Sequence, residues 1–194
     1  MAYADASGTI GWQLMGEAPQ RRKGWGVLPA AGWDPEAGWE DAPVPFEALP
    51  FDVDPACGFV ATANARPTPA GEGPYLGTAW LDGYRQARIV EVLGTRHDWT
   101  PADMQALQMD QRSRLWGEMR EAVLAAPANT EAARRGLALL VDWDGVMDAG
   151  SAAASVFEWF LGAMTRQAVT AKAPNAAAWA LDGGSVPLMG HPFF

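Results

Sequence analysis

Two polar residues stand where local structure could hold them in place. Asn64 ends the alternating run Phe59-Val60-Ala61-Thr62-Ala63-Asn64, and Arg85 opens a helical pattern just after Asp82-Gly83-Tyr84. An amide at a strand end can donate a hydrogen bond from a position that a sheet fixes. A guanidinium carries a charge that does not titrate near neutral pH. Both residues also have a plain structural reading. Asn favours turns, so Asn64 can begin the turn ahead of Arg66-Pro67, and Arg85 can pair with Asp82 at a helix start. On residue type alone the structural readings are the stronger. Cys57 is the only cysteine, which excludes an internal disulfide and any multi-cysteine zinc site; as a nucleophile it has no histidine near it in sequence. His97 and His191 show no Ser and Asp pattern of a triad and read as surface or turn residues. Asp142-Trp143-Asp144-Gly145, with Asp148, has the look of an oxygen-rich loop but lacks the length and terminal Glu of an EF-hand, so helix capping is the better reading.

The elements that must position these residues fall into two halves. After the turn signal Asp5-Ala6-Ser7-Gly8, Ile10, Trp12 and Leu14 alternate with Thr9, Gly11 and Gln13, the period of a half-buried strand. Residues 17–57 carry Pro and Gly throughout, a long irregular excursion of the kind that is functional or packs over something larger. A second strand is expected over Phe59–Asn64. Beyond Asp82 the pattern is helical: Tyr84 to Leu93, then a helix started by Thr100-Pro101-Ala102-Asp103, with a break expected near Asp110. Asn129 or Thr130 starts another helix through Leu140, and Ser151 caps one in which Phe157, Leu161, Met164 and Ala168 recur at helical spacing. An Ala-rich stretch over 171–181 reads as a last helix, and the tail ends on Phe193-Phe194. The expected class is α+β: strands and loop over 1–81, a helical segment over 82–194, together one incomplete domain, since so few strands make a poor independent sheet.

Composition narrows the partners. A net charge of −9 argues against nucleic acid, whose phosphates need clustered Lys and Arg. The basic triplet Arg21-Arg22-Lys23 reads as a solvated loop. No run reaches the roughly 20 apolar residues of a membrane span. Ten Trp is a high count; those at 12, 25, 33, 39 and 80 are expected to hold a region poor in regular structure together or, as a second reading, to form an aromatic platform for a ligand.

The stretch Gly58 to Pro67, followed by Gly77-Thr78-Ala79-Trp80-Leu81-Asp82-Gly83-Tyr84-Arg85, resembles the β-chain core of the penicillin acylase (penicillin amidase) family of N-terminal-nucleophile hydrolases. Tyr3-Ala4-Asp5 to Gly11-Trp12, Pro45 to Pro50, Leu107-Gln108-Met109-Asp110 and Asp142-Trp143-Asp144-Gly145 extend the likeness over nearly the whole chain. The resemblance implies that Asn64 donates to the oxyanion and Arg85 orients the catalytic groups, which reverses the structural reading of both. Ala65, where many relatives repeat Asn, departs from the pattern at the turn. It implies the four-layer αββα fold, with this chain an internal piece of the β-chain. It also implies a small N-acyl amide as substrate, such as a β-lactam antibiotic or an acyl-homoserine lactone, and as partners the remaining α- and β-chain segments. The site is periplasmic or secreted by the same likeness. The family often carries a structural calcium; Glu72 is the acidic residue between Asn64 and Asp82, and one Glu cannot supply the six to eight oxygens calcium takes. In that family a Ser at a freed N-terminus is nucleophile and its α-amine the base. This chain opens Met1-Ala2-Tyr3, and the α-nitrogen of Ser7 is in a peptide bond, so the isolated chain is expected to be inactive. The alternative is a catalytically inactive binding module for aromatic or acyl ligands.

Overall fold

The structure is a computed structural model that describes residues 1–78, 80 and 82–181, the side chain of Trp179 excepted. His191 and Phe193-Phe194 lie outside the described residues. The chain is α+β, in the order β1 (Ala2–Ala4), β2 (Ile10–Gln13), β3 (Phe51–Val53), α1 (Tyr84–Leu93), α2 (Pro101–Gln108), α3 (Arg114–Leu124), α4 (Glu131–Leu140), α5 (Ala152–Lys172) and α6 (Ala177–Leu181). It forms two compact units, Met1–Asp98 and the part from Trp99 onward.

In the first unit the three strands make one antiparallel sheet, β1-β2-β3, with Tyr3 opposite Gly11 and Gly11 opposite Val53. The β1–β2 turn is organised by Asp5, whose Oδ1 accepts from the Ser7 hydroxyl (2.6 Å), the Ser7 amide (2.9 Å) and the Thr9 amide (3.2 Å). The Ser7 hydroxyl is the main reason the Asp5 carboxyl titrates below its ordinary 3.8. Gly11 in the central strand leaves room for the Tyr3 ring, which a Cβ there would meet at 2.7 Å. The sheet covers little: Tyr3, Phe51 and Val53 share one face, and all three are exposed.

Two expectations are corrected here. Phe59–Asn64 is not a strand in the described structure, although its residues alternate. Alternation marks a half-buried extended segment, but a strand also needs a partner ladder, and none of the described strands pairs with it. The tryptophans of the irregular excursion do not bind it into a core either, since Trp25 is 72% exposed and Trp33 89%. The excursion is held by backbone pairing, with the Glu40 amide donating to Gln20 O (2.8 Å) and the Val44 amide to Ala18 O (2.8 Å), and by Val44 and Leu49, which are buried.

The second unit is built by local signals that the sequence displays openly. Thr100 and Asp103 form a reciprocal capping box on α2, and the hydroxyls of Ser113, Thr130 and Ser151 each accept from the third backbone amide of α3, α4 and α5. Such caps contribute about 1 kcal/mol each. The break expected near Asp110 is the gap between α2 and α3. The core is an aromatic trio: ring centroids lie 5.0 Å apart for Trp116 and Trp143, 5.2 Å for Trp116 and Phe157, and 5.4 Å for Trp143 and Phe157. Val123, Leu140 and Leu161 close around it, and Leu115, Met119 and Met164 pack against it; the helical spacing of Phe157, Leu161 and Met164 predicts their part in this face. Both indoles satisfy their N–H groups, Trp116 on Trp143 O (3.2 Å) and Trp143 on Val146 O (3.1 Å). The Asp142–Asp148 segment is a turn and not a helix cap. Asp144 Oδ1 accepts from the Val146 amide (3.0 Å) and Asp148 Oδ1 from the Gly150 amide (2.8 Å), while Ser151 does the capping.

Candidate active site

Asn64 and Arg85 are brought together within the first unit. The backbone at Asn64 is left-handed, with φ +60, a conformation Asn tolerates better than most residues because its short amide can bond locally. Asn64 therefore does make a bend, and the bend presents its side chain. Arg85 lies in the first turn of α1, where the helix dipole disfavours a cation. Its side chain reaches back, and Nη2 donates to Ala63 O (3.1 Å) and to Asn64 Oδ1 (2.8 Å). Asp82, the alternative partner, accepts from the Tyr84 amide (3.1 Å). Gln86 adds a further tie, donating to Ala61 O (3.4 Å). The segment that does not pair as a strand is thus pinned by the first turn of α1.

One consequence concerns the orientation of the Asn64 amide. Guanidinium is donor-only, so the atom facing it must be the amide oxygen. That turns Nδ2 away from Arg85 with both hydrogens unused by any other described residue. A donor held this way, at an exposed position, is suited to meet an oxygen on which negative charge develops.

The other candidates do not join this pair. The thiol of Cys57 donates to Phe59 O (3.2 Å). Folding does bring a histidine to this neighbourhood, which sequence spacing did not reveal: His97 Nδ1 lies 3.9 Å from where a Cβ on Gly58 would sit. Glu72 is exposed in a turn in which its amide donates to Pro69 O (3.2 Å) and its carbonyl accepts from the Thr68 hydroxyl (3.2 Å). Among the described residues no three His, Cys, Asp or Glu side chains gather as a metal site would require. None of the described helices is long and apolar enough to cross a membrane.

Comparison with known proteins identifies the company this geometry keeps. Residues 1–188 match the penicillin amidase family. An acyl-homoserine lactone acylase QuiP of Pseudomonas fluorescens (strain Pf0-1) is 34% identical over 176 residues, which is 83% of this chain and 21% of that protein. A penicillin acylase 2 proenzyme of Pseudomonas sp. (strain SE83) is 35% identical over 188 residues, 96% of this chain and 24% of that one. Among solved structures, a thermostable penicillin G acylase from Alcaligenes faecalis superposes with a TM-score of 0.64 at 22% identity, covering 91% of this chain and 34% of that chain. The last likeness shows a shared fold. The chain belongs to the penicillin amidase family, whose members are hydrolases acting on amides. It spans about a fifth of the length of curated relatives such as the QuiP acylase.

Proposed function

We propose that this chain supplies the oxyanion-side groups of an acylase that cleaves N-acyl amide bonds, with Asn64 as the oxyanion donor and Arg85 as the residue that orients it. The observation that carries the reading is the Arg85 Nη2–Asn64 Oδ1 hydrogen bond of 2.8 Å, which leaves the amide nitrogen as the outward group. In the reaction a Ser hydroxyl outside these residues attacks the amide carbonyl, and its own α-amine takes the proton. An α-amine, with a pKa near 7.7–8.0, is suited to that role without a histidine. Asn64 Nδ2 then donates to the oxygen of the tetrahedral intermediate. Arg85 does two things: it holds the amide against rotation, and its fixed charge lowers the cost of the nearby oxyanion.

Family membership supports a substrate class of N-acylated compounds such as β-lactam antibiotics or acyl-homoserine lactones. The partners are the remaining segments of the whole protein, which we place in the periplasm or outside the cell. A structural calcium, where the whole protein holds one, is proposed to take most of its oxygens from outside the described residues, among which no three His, Cys, Asp or Glu side chains gather. The isolated chain, without the Ser and its free amine, does not turn over substrate.

The test is Asn64→Ala in the whole protein, assayed on a chromogenic acyl anilide. Loss of one oxyanion donor should lower kcat about 100- to 1,000-fold with little change in KM. Unchanged turnover would remove Asn64 from the site. Turnover by the isolated chain would show that the nucleophile lies within it.

A further inference from the structure

The basic triplet Arg21-Arg22-Lys23 does not behave as three equivalent surface charges. Arg22 pairs with Asp41 (3.1 Å) and Glu40 (3.8 Å), and Lys23 approaches Asp34 (4.0 Å). Arg21 makes no ion pair or hydrogen bond with any described residue. It is nonetheless held in place. Its guanidinium carbon lies 4.0 Å from the centroid of the Trp39 ring, and a Cβ on Gly26 would fall 2.6 Å from the guanidinium, so the group stacks on an indole and also lies close against bare backbone. Gly26, with φ +73, permits both the turn and the close approach. An antiparallel bridge between Arg21 and Trp39 fixes the two residues at the base.

This arginine lines a cavity of about 550 Å³ within the first unit, a size that suits a small organic molecule. The walls include Trp25, Trp39, Tyr75, Trp80 and Met15. Trp25 and Tyr75 meet edge to face with centroids 6.4 Å apart, and the Tyr75 hydroxyl donates to Trp25 O (2.5 Å), which sets the two rings as a corner. Trp80 is fixed by its indole N–H on Gly77 O (3.2 Å). Trp25 is largely open to solvent and Trp39 and Tyr75 nearly half so, so an occupant has apolar ring surface to cover.

We propose that this cavity is a binding site for a small aromatic monocarboxylate, its carboxylate on the unused donors of Arg21 and its flat body against Trp25, Tyr75 and Trp39. A stacked guanidinium with free edges offers paired hydrogen bonds to a carboxylate in the plane perpendicular to its stacking contacts. Glu17 is the acidic residue on the same lining, and it repels a second negative charge, which selects a monoanion over a dianion. The proposal is independent of the Asn64–Arg85 reading, since it uses none of those residues.

The experiment is calorimetric titration of the full chain with 2-naphthoate, its neutral isostere 2-naphthamide, and 2,6-naphthalenedicarboxylate. 2-Naphthoate should saturate one site and bind at least about tenfold tighter than the amide, the scale of one charge-assisted pair, and tighter than the dianion. Arg21→Gln should abolish the preference for the acid over the amide, Arg21→Lys should keep part of it, and Trp25→Ala should weaken both ligands. Equal binding of acid and amide by the unmodified chain, absence of saturation, or a preference that persists in Arg21→Gln would overturn the proposal, whichever variants fold. Sedimentation in parallel reports the competing occupant: a dimer that naphthoate dissociates would mean the cavity receives a second copy of the chain.

Discussion

The two units of this chain solve the problem of ordering a polypeptide in opposite ways. The unit from Trp99 onward buries an aromatic trio under capped helices, and Phe157 at its centre is 1% exposed. The unit before it buries only scattered residues such as Val44, Leu49, Ala63 and Leu93, leaves Phe51, Trp25 and Trp33 in solvent, and relies on turns, backbone pairs and a few long-range side-chain bonds. The groups to which we assign chemistry or ligand binding lie in the second style of construction: the Asn64 amide, the Arg85 fork and the aromatic cavity around Arg21. A buried polar group without a partner costs on the order of 1–3 kcal/mol. Groups that must await a substrate are tolerated where the chain is open.

The contrast can be broken most directly at the two phenylalanines. Phe157→Ala should cost about 3–5 kcal/mol, whereas Phe51→Ala, at 57% exposure, should stay within about 0.5 kcal/mol; urea unfolding followed by circular dichroism measures both, and equal losses would end the distinction. Next in size is Arg85→Met in the whole protein, which frees the Asn64 amide to rotate and should lower kcat about 100-fold while leaving the urea midpoint near the parent value. Gly145→Ala follows. That backbone sits at φ +85 with a new Cβ 2.8 Å from the Trp116 ring, so a loss of about 1–3 kcal/mol is expected, read in the same unfolding assay. Ser151→Ala should remove the cap of the longest helix and cost about 1 kcal/mol. The smallest effect belongs to the first unit. The Asp5 carboxyl is depressed in the fold, so its contribution is present above the unfolded value of 3.8 and is lost as pH falls below it; Asp5→Asn should flatten that acid limb.

The second unit was the more legible of the two in sequence, and the reason is range. Thr100, Thr130 and Ser151 announce helix starts within three residues, and Phe157, Leu161 and Met164 show their face by spacing alone. What spacing could not show was that Trp116, Trp143 and Phe157 would meet, since nothing local links residues so far apart in the chain. In the first unit, β1 and β3 have three residues each, too short for any period to register. Phe59–Asn64 has the period without the partner, and reads as a strand for that reason. Asn64 and Arg85 were nameable only through family resemblance, because by residue type each had an ordinary explanation. The structure keeps the ordinary explanation for Asn64, a left-handed bend, and adds the hydrogen bond to Arg85 that neither residue type nor spacing implies. The isolation of Arg21 from its charged neighbours was invisible for the same reason: ion pairing depends on loop geometry over 17–44.

Between α2 and α3 the chain makes a small clip with the segment after α4. The Ser113 amide donates to Gly145 O (2.8 Å), the Met147 amide to Gln111 O (3.0 Å), and Arg112 grips Asp144 through both its carbonyl and its carboxylate. This clip ties the start of α3 to the chain just after α4, so the linker over 125–130, exposed at nearly every position, is not the only connection between those two helices. With the ends already tied, lengthening that linker raises only the entropy of closing a loop, roughly 0.6 kcal/mol for each doubling. The α3–α4 connection is therefore the place where this chain should accept inserted sequence, or a cut, and still assemble its aromatic core.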